Sequence, residues 1–176
     1  MSELGVIGGG PAAGLWRANV VLDFARSELF DRTFQEGMEL VEETAAYLDG
    51  PGRQESKRLT RQGALAYAAE SMRLTTRLMQ VASWLLVQRA VREGDMEAAL
   101  ACDARYRVAP EAPMMEAEGE DVVGLPAGLI DLLDRSARLY ERVMHLDKRM
   151  YLDAPEDEAP HPVLSQYEKL QAAFGT

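Results

Sequence analysis

Hydrophobic patterning is most persistent between Thr60 and Arg92, where TRQGALAYAAESMRLTTRLMQVASWLLVQRAVR carries two adjacent apolar stripes at helical spacing. One runs through Leu65, Ala68, Met72, Thr75, Met79, Ala82 and Leu86, the other through Tyr67, Ser71, Leu74, Leu78, Val81 and Leu85. Together they ask more than half of the helix circumference to leave water. Arg73 and Arg77 interrupt the run, so it reads as the central element of a bundle and not as a membrane span. Thr60 is placed to cap this helix at its start, and Glu93-Gly94-Asp95 ends or kinks it.

Ahead of this element, Val20, Phe24, Ser27, Phe34, Met38, Val41, Ala45 and Leu48 predict a helix over about 19–49, capped by Asn19 or, as a later start, by Ser27. Gly50 in a left-handed cap and Pro51 after it are expected to stop that helix, leaving Arg53 to Arg58 as an exposed basic linker. Beyond the central helix, Asp95 begins a short amphipathic piece over about 95–104. Residues 109–124, APEAPMMEAEGEDVVG, predict a long acidic loop with Met114 and Met115 at its apex. A third helix over about 125–152 follows, with Pro126 in its first turn and a seam of Leu125, Leu129, Leu132, Ser136, Leu139, Val143, Leu146 and Met150. Its alternating steps of four and three predict left-handed packing. The expected fold is therefore all-α: an antiparallel three-helix bundle over 19–152, with a flexible Gly/Ala-rich leader at 1–18 and an acidic, proline-rich linker and tail at 153–176. In the tail, Leu164, Tyr167, Leu170 and Phe174 align on a short helix that is marginal alone, which suits a tethered binding peptide.

Charge and cysteine usage narrow the classes. A net charge of -10 over 176 residues opposes nucleic-acid binding, which needs a concentrated basic face. The single cysteine, Cys102, forms no internal disulfide, and no apolar signal segment opens the chain, so the expected location is the cytoplasm. Charge is also uneven: acids dominate between Asn19 and Asp49, bases between Arg53 and Arg92, so pairing of these two helices is expected to bring opposite charges together and select their register.

Candidate chemistry is sparse. Leu4 to Leu15, LGVIGGGPAAGL, has the glycines of a flavin-binding turn, but no convincing buried strand precedes it and a helical, acidic segment occupies the place of the second strand. Cys102 has no adjacent histidine and reads as a small buried residue. His145 reads as a boundary residue, and Glu141 with His145 has the wrong spacing for a di-iron bundle site. No catalytic residue, cofactor or metal is expected.

Three long strings carry a family likeness: GMELVEETAAYLDGPGR (Gly37 to Arg53), LAYAAESMRLTTRLMQVASWLLVQRAV (Leu65 to Val91) and LIDLLDRSARLYERVMHLDKRMY (Leu129 to Tyr151). With them the chain closely resembles the regulator of CtrA degradation family. That resemblance implies a dimeric three-helix bundle in the alphaproteobacterial cytoplasm, a non-catalytic adaptor that hands cell-cycle substrates to the ClpXP protease with the help of a priming response regulator. The alternative is a small helical protein with a dimerisation role alone. On the central helix a polar row, Glu70, Arg73, Arg77, Gln80 and Trp84, has two readings. It is a solvent-facing row with a tryptophan at the rim, or it is the surface on which a second subunit or partner docks, since Arg and Trp concentrate binding energy at interfaces.

Overall fold

The structure is a computed structural model that describes residues 11–110 and 124–151. The described residues are helical wherever they are regular: α1 (Pro11–Ala25), α2 (Glu28–Asp49), α3 (Pro51–Ser56), α4 (Arg61–Glu93), α5 (Ala98–Ala101) and α6 (Ala127–Tyr151), with one 3-10 turn at Ala104–Tyr106. The N-terminal ten residues, most of the acidic loop and the whole tail, including Leu164, Tyr167, Leu170 and Phe174, lie outside them.

The helix expected over 19–49 is two helices. Ser27 takes an extended backbone, and its hydroxyl accepts from the Phe30 amide at 3.2 Å, which caps α2 and separates it from α1. Asn19 caps nothing; it lies inside α1, which begins at Pro11, within the segment expected as a leader. Gly50 also departs from expectation. Its backbone is at φ -111 and not left-handed, and Pro51 opens α3 where its missing N–H costs nothing. The linker expected at Arg53 is therefore largely helical. Thr60 does cap α4, accepting from the Gly63 amide at 3.1 Å, and Gly94 at φ 81 ends it in the left-handed conformation that glycine adopts without steric cost.

α4 is the central helix, touching α1, α2 and α6. The core is built from Val21 and Ala25 of α1, Phe30 and Leu40 of α2, Leu74, Val81, Trp84 and Leu85 of α4, and Leu129, Leu132, Leu139 and Val143 of α6. Phe24 packs tilted on Trp84 with ring centroids 5.6 Å apart, joining α1 to this core. At Gly37 the helices α2 and α4 approach so closely that a Cβ would lie 2.6 Å from Leu85 Cδ1.

Helix directions correct the expected antiparallel bundle. Asp31 at the start of α2 pairs with Arg92 at the end of α4, and Glu36 and Glu43 pair with Arg142 and Arg135, so α2 opposes both partners. α4 and α6 instead run parallel: Arg77 meets Ser136, Trp84 meets Asp147, and Gln88 meets Tyr151. A parallel neighbour requires the chain to return the length of the bundle, and the segment between Gly94 and Pro126, with α5 and the 3-10 turn in it, spans that gap. The charge pairing also differs from expectation. Of the acids on α2, Asp31 bonds to α4, while Glu36 and Glu43 are taken by α6.

Candidate protein-docking face

Burial decides between the two readings of α4's polar row, and neither holds. Trp84 is 2% exposed, Arg77 7% and Glu70 8%; Arg73 and Gln80 are half-buried. The row faces inward because α6 supplies partners along it. Arg77 Nη1 donates to Ser136 Oγ at 3.0 Å and to the Leu133 carbonyl at 3.1 Å. Trp84 Nε1 donates to Asp147 Oδ1 at 3.0 Å, and Gln88 Nε2 to the Tyr151 hydroxyl at 3.2 Å. Glu70 forms an ion pair with Arg73 at 3.7 Å on the same helix. These contacts satisfy polar groups that are costly to bury alone.

Asp147 is the centre of the largest of these clusters. Arg107, from the strap after the 3-10 turn, donates to both its carboxylate oxygens at 2.8 to 3.1 Å while Trp84 donates from the other side. The same guanidinium lies 4.6 Å from the centre of the Tyr151 ring. Burial pushes the Tyr151 phenol up to about 12 and raises the Cys102 thiol as well, so neither ionises near neutral pH. Tyr140 donates to the Ala109 carbonyl at 2.6 Å, a second anchor for the strap. Sequence spacing gives no hint of Arg107 with Asp147, because their proximity depends on the return of the chain between α4 and α6.

The outward face of α4 carries the unexpected feature. The first apolar stripe, expected in the core, is in solvent: Leu65 and Met72 are 66% exposed, Met79 65% and Leu86 52%. Between Gly63 and Gln88 the exposed positions are Leu65, Ala68, Ala69, Met72, Thr75, Thr76, Met79, Ser83 and Leu86, and none is charged. The four large residues recur every seven positions, with Ala68, Thr75 and Ala82 between them, which is the two-position seam of a coiled-coil helix. Two grooves flank this face. One of about 250 Å³ is lined by Val41, Ala45 and Leu48 of α2 with Thr75, Met79 and Ala82. The other, of about 440 Å³, lies between α4 residues including Met79, Ser83 and Val87 and the strap from Arg105 to Ala109. The signal was present in the sequence as the uncharged heptad itself; what was missing was knowledge of which stripe the other helices would cover.

His145 is exposed, beside a shallow groove with Tyr140 and Met144. Among the described residues no group of three or more His, Cys, Asp and Glu side chains is placed to hold a metal ion, and no helix is long and apolar enough to cross a membrane. Of the flavin-like stretch, Pro11 to Leu15 opens α1 and the remainder lies outside the described residues.

These features define an all-helical protein with a polar-laced interior and an uncharged apolar strip on its central helix. The chain belongs to the family described as "Protein of unknown function (DUF1465)", which matches residues 21–174. It is 65% identical to RcdA from Caulobacter crescentus CB15, whose crystal structure it matches with a TM-score of 0.62 over 75% of this chain and 98% of that one. The resemblance to the regulator of CtrA degradation family is thereby shown. No curated protein matches the chain.

Proposed function

We propose that the protein is a non-catalytic adaptor of the cytoplasm that delivers cell-cycle regulators to ClpXP, working with a priming response regulator and as a homodimer. Family membership beside RcdA supports the link to regulated proteolysis. The single observation that carries a docking role is the uncharged outer face of α4, on a chain in which 27% of residues are charged. Its four large residues are each more than half exposed and form one apolar strip, the kind of feature that marks a protein-interaction site. In this reading α2, α4 and α6 form the rigid frame, with left-handed packing, and α4 presents the face.

The face is also self-complementary. Its large residues read Leu, Met, Met, Leu at seven-residue steps, so an antiparallel two-fold pairing sets Leu65 of each copy against Leu86 of the other and Met72 against Met79. A two-fold axis pairs residue i with j and j with i, and here each such pair joins two large apolar side chains. Replacing Met72 and Met79 together by Asp is expected to abolish dimerisation in light scattering and to slow substrate delivery in a reconstituted protease assay, with the melting temperature little changed. An unchanged dimer with unchanged delivery would refute this use of the face.

A further inference from the structure

We propose that the chain's own C-terminal segment, Val163 to Phe174, docks on the outer face of α4 around Met79 and Leu86 and competes there with the second copy. The competition rests on the reading of that face as the dimer surface; the docking itself does not.

The route is set by where α6 ends. Tyr151 lies against Arg107 of the strap, and the strap forms one wall of the 440 Å³ groove whose other wall includes Met79, Ser83 and Val87. A chain leaving Tyr151 therefore starts at the edge of a channel that opens onto the apolar face. The residues from Leu152 to Pro162 span up to about 40 Å when extended, several times the ~10 Å diameter of the helix to be rounded. Charge follows the same path. Asp153, Glu156, Asp157 and Glu158 all fall in the linker and none of the four in the apolar run after it, which matches a face without exposed charge; Arg105 at the edge of the groove is already paired with Asp103 at 3.2 Å. The apolar residues come next: Leu164, Tyr167, Leu170 and Phe174, spaced three or four apart. Run antiparallel to α4 with Leu164 level with Leu86, a helical segment places Leu170 and Phe174 beside Met79 and Thr75, at about 1.5 Å of rise per residue on both helices. Those two α4 residues also line the apolar groove shared with Val41, Ala45 and Leu48. Recognition is of the helix-in-groove kind, with tethering in place of intrinsic affinity.

The test uses the full chain with Cys102→Ser and Ser165→Cys, a nitroxide on the new thiol, and ¹³C-labelled methionine methyls. Intramolecular docking is expected to remove more than half of the Met79 methyl intensity relative to the reduced label at concentrations that keep the chain monomeric, with the loss shrinking as the dimer forms. An undiminished Met79 signal overturns the docking. The same loss when nitroxide-bearing chains without ¹³C are mixed with ¹³C chains without nitroxide assigns the segment to a neighbour and overturns the intramolecular form. For the competition, Leu170→Asp with Phe174→Asp is expected to tighten the dimer dissociation constant about fourfold if the tail occupies half of the faces, one factor of two for each copy. An unchanged constant, with Met79 broadening present, overturns the competition alone. If neither chain dimerises at any concentration the dimer reading fails by itself, and the nitroxide measurement still decides the docking.

Discussion

The outward faces of α4 and α6 belong to parallel, neighbouring helices and meet the same solvent, yet their chemistry is opposite. α6 exposes Asp131, Asp134, Arg138, Glu141, Arg142, Lys148 and Arg149, while none of the exposed positions over the central six turns of α4 is charged and Arg73 there is half-buried. The inward faces are also exchanged. α6 turns a mostly apolar seam to the core with Ser136 and Asp147 buried in it, while α4 brings Glu70, Arg77, Trp84 and Gln88 inside with its leucines. A helix that keeps hydrogen-bonding groups inside and apolar ones outside is not optimised for a monomer. Its inner polar groups select one neighbour in one register, and its outer face is suited to contact with another surface.

The contrast breaks most sharply at Asp147. Asp147→Ala leaves the Arg107 guanidinium and the Trp84 indole without their acceptor, and breaking such a buried pair is expected to cost about 3–5 kcal/mol, read as a large fall in denaturant midpoint. Gly37→Val tests the α2–α4 approach and is expected to cost about 1–3 kcal/mol, because the Cβ would meet Leu85. A smaller effect is expected where α6 pairs with α2. The hydrogen bond from Arg135 holds the Glu43 carboxyl below its usual range, so its contribution is present above the ordinary carboxylate pKa and is lost as pH falls through the lowered one. Since the pair is exposed, Glu43→Gln is expected to cost no more than about 1 kcal/mol at neutral pH, and the difference from the parent to vanish in acid melts. At the bottom of the scale, Met79→Gln on the outer face is expected to shift monomer stability by no more than about 0.5 kcal/mol while weakening self-association. An outer-face change that destabilised the monomer as much as Asp147→Ala would erase the distinction between the faces.

The existence of α2, α4 and α6 was legible in the sequence, while α3 and the first half of α1 were read as linker and leader; the ends set by local chemistry were also legible, since the Thr60 cap and the Gly94 stop depend on residues within one turn of each other. The Ser27 break was visible as an alternative start, and it prevailed because its hydroxyl bonds the Phe30 amide. Gly50-Pro51 was legible as an interruption but not as the start of α3, since a proline that ends one helix is equally suited to open another. The candidate site was less readable. Two stripes of α4 are equally apolar on paper, and only tertiary contacts decide that Leu74, Leu78, Val81 and Leu85 go inside while Met72 and Met79 do not. Arg77 and Trp84 looked like surface residues because their partners, Ser136 and Asp147, lie 59 and 63 residues away.

The parallel arrangement of α4 and α6 has a consequence for the order in which the protein is made. The contacts of α1, α2 and α3 with α4 are available as soon as Glu93 has left the ribosome, whereas α6 closes a gap of about sixty residues and arrives last. A nascent chain therefore has an interval in which α4 is open on both sides. During that interval the Trp84 indole and the Gln88 amide await the α6 acceptors they later bond, and a wrong apolar partner would have to bury them unsatisfied. The hydrogen bonds that later fix α6 in register thus guard its place during synthesis, leaving the uncharged side as the one through which early association is favoured.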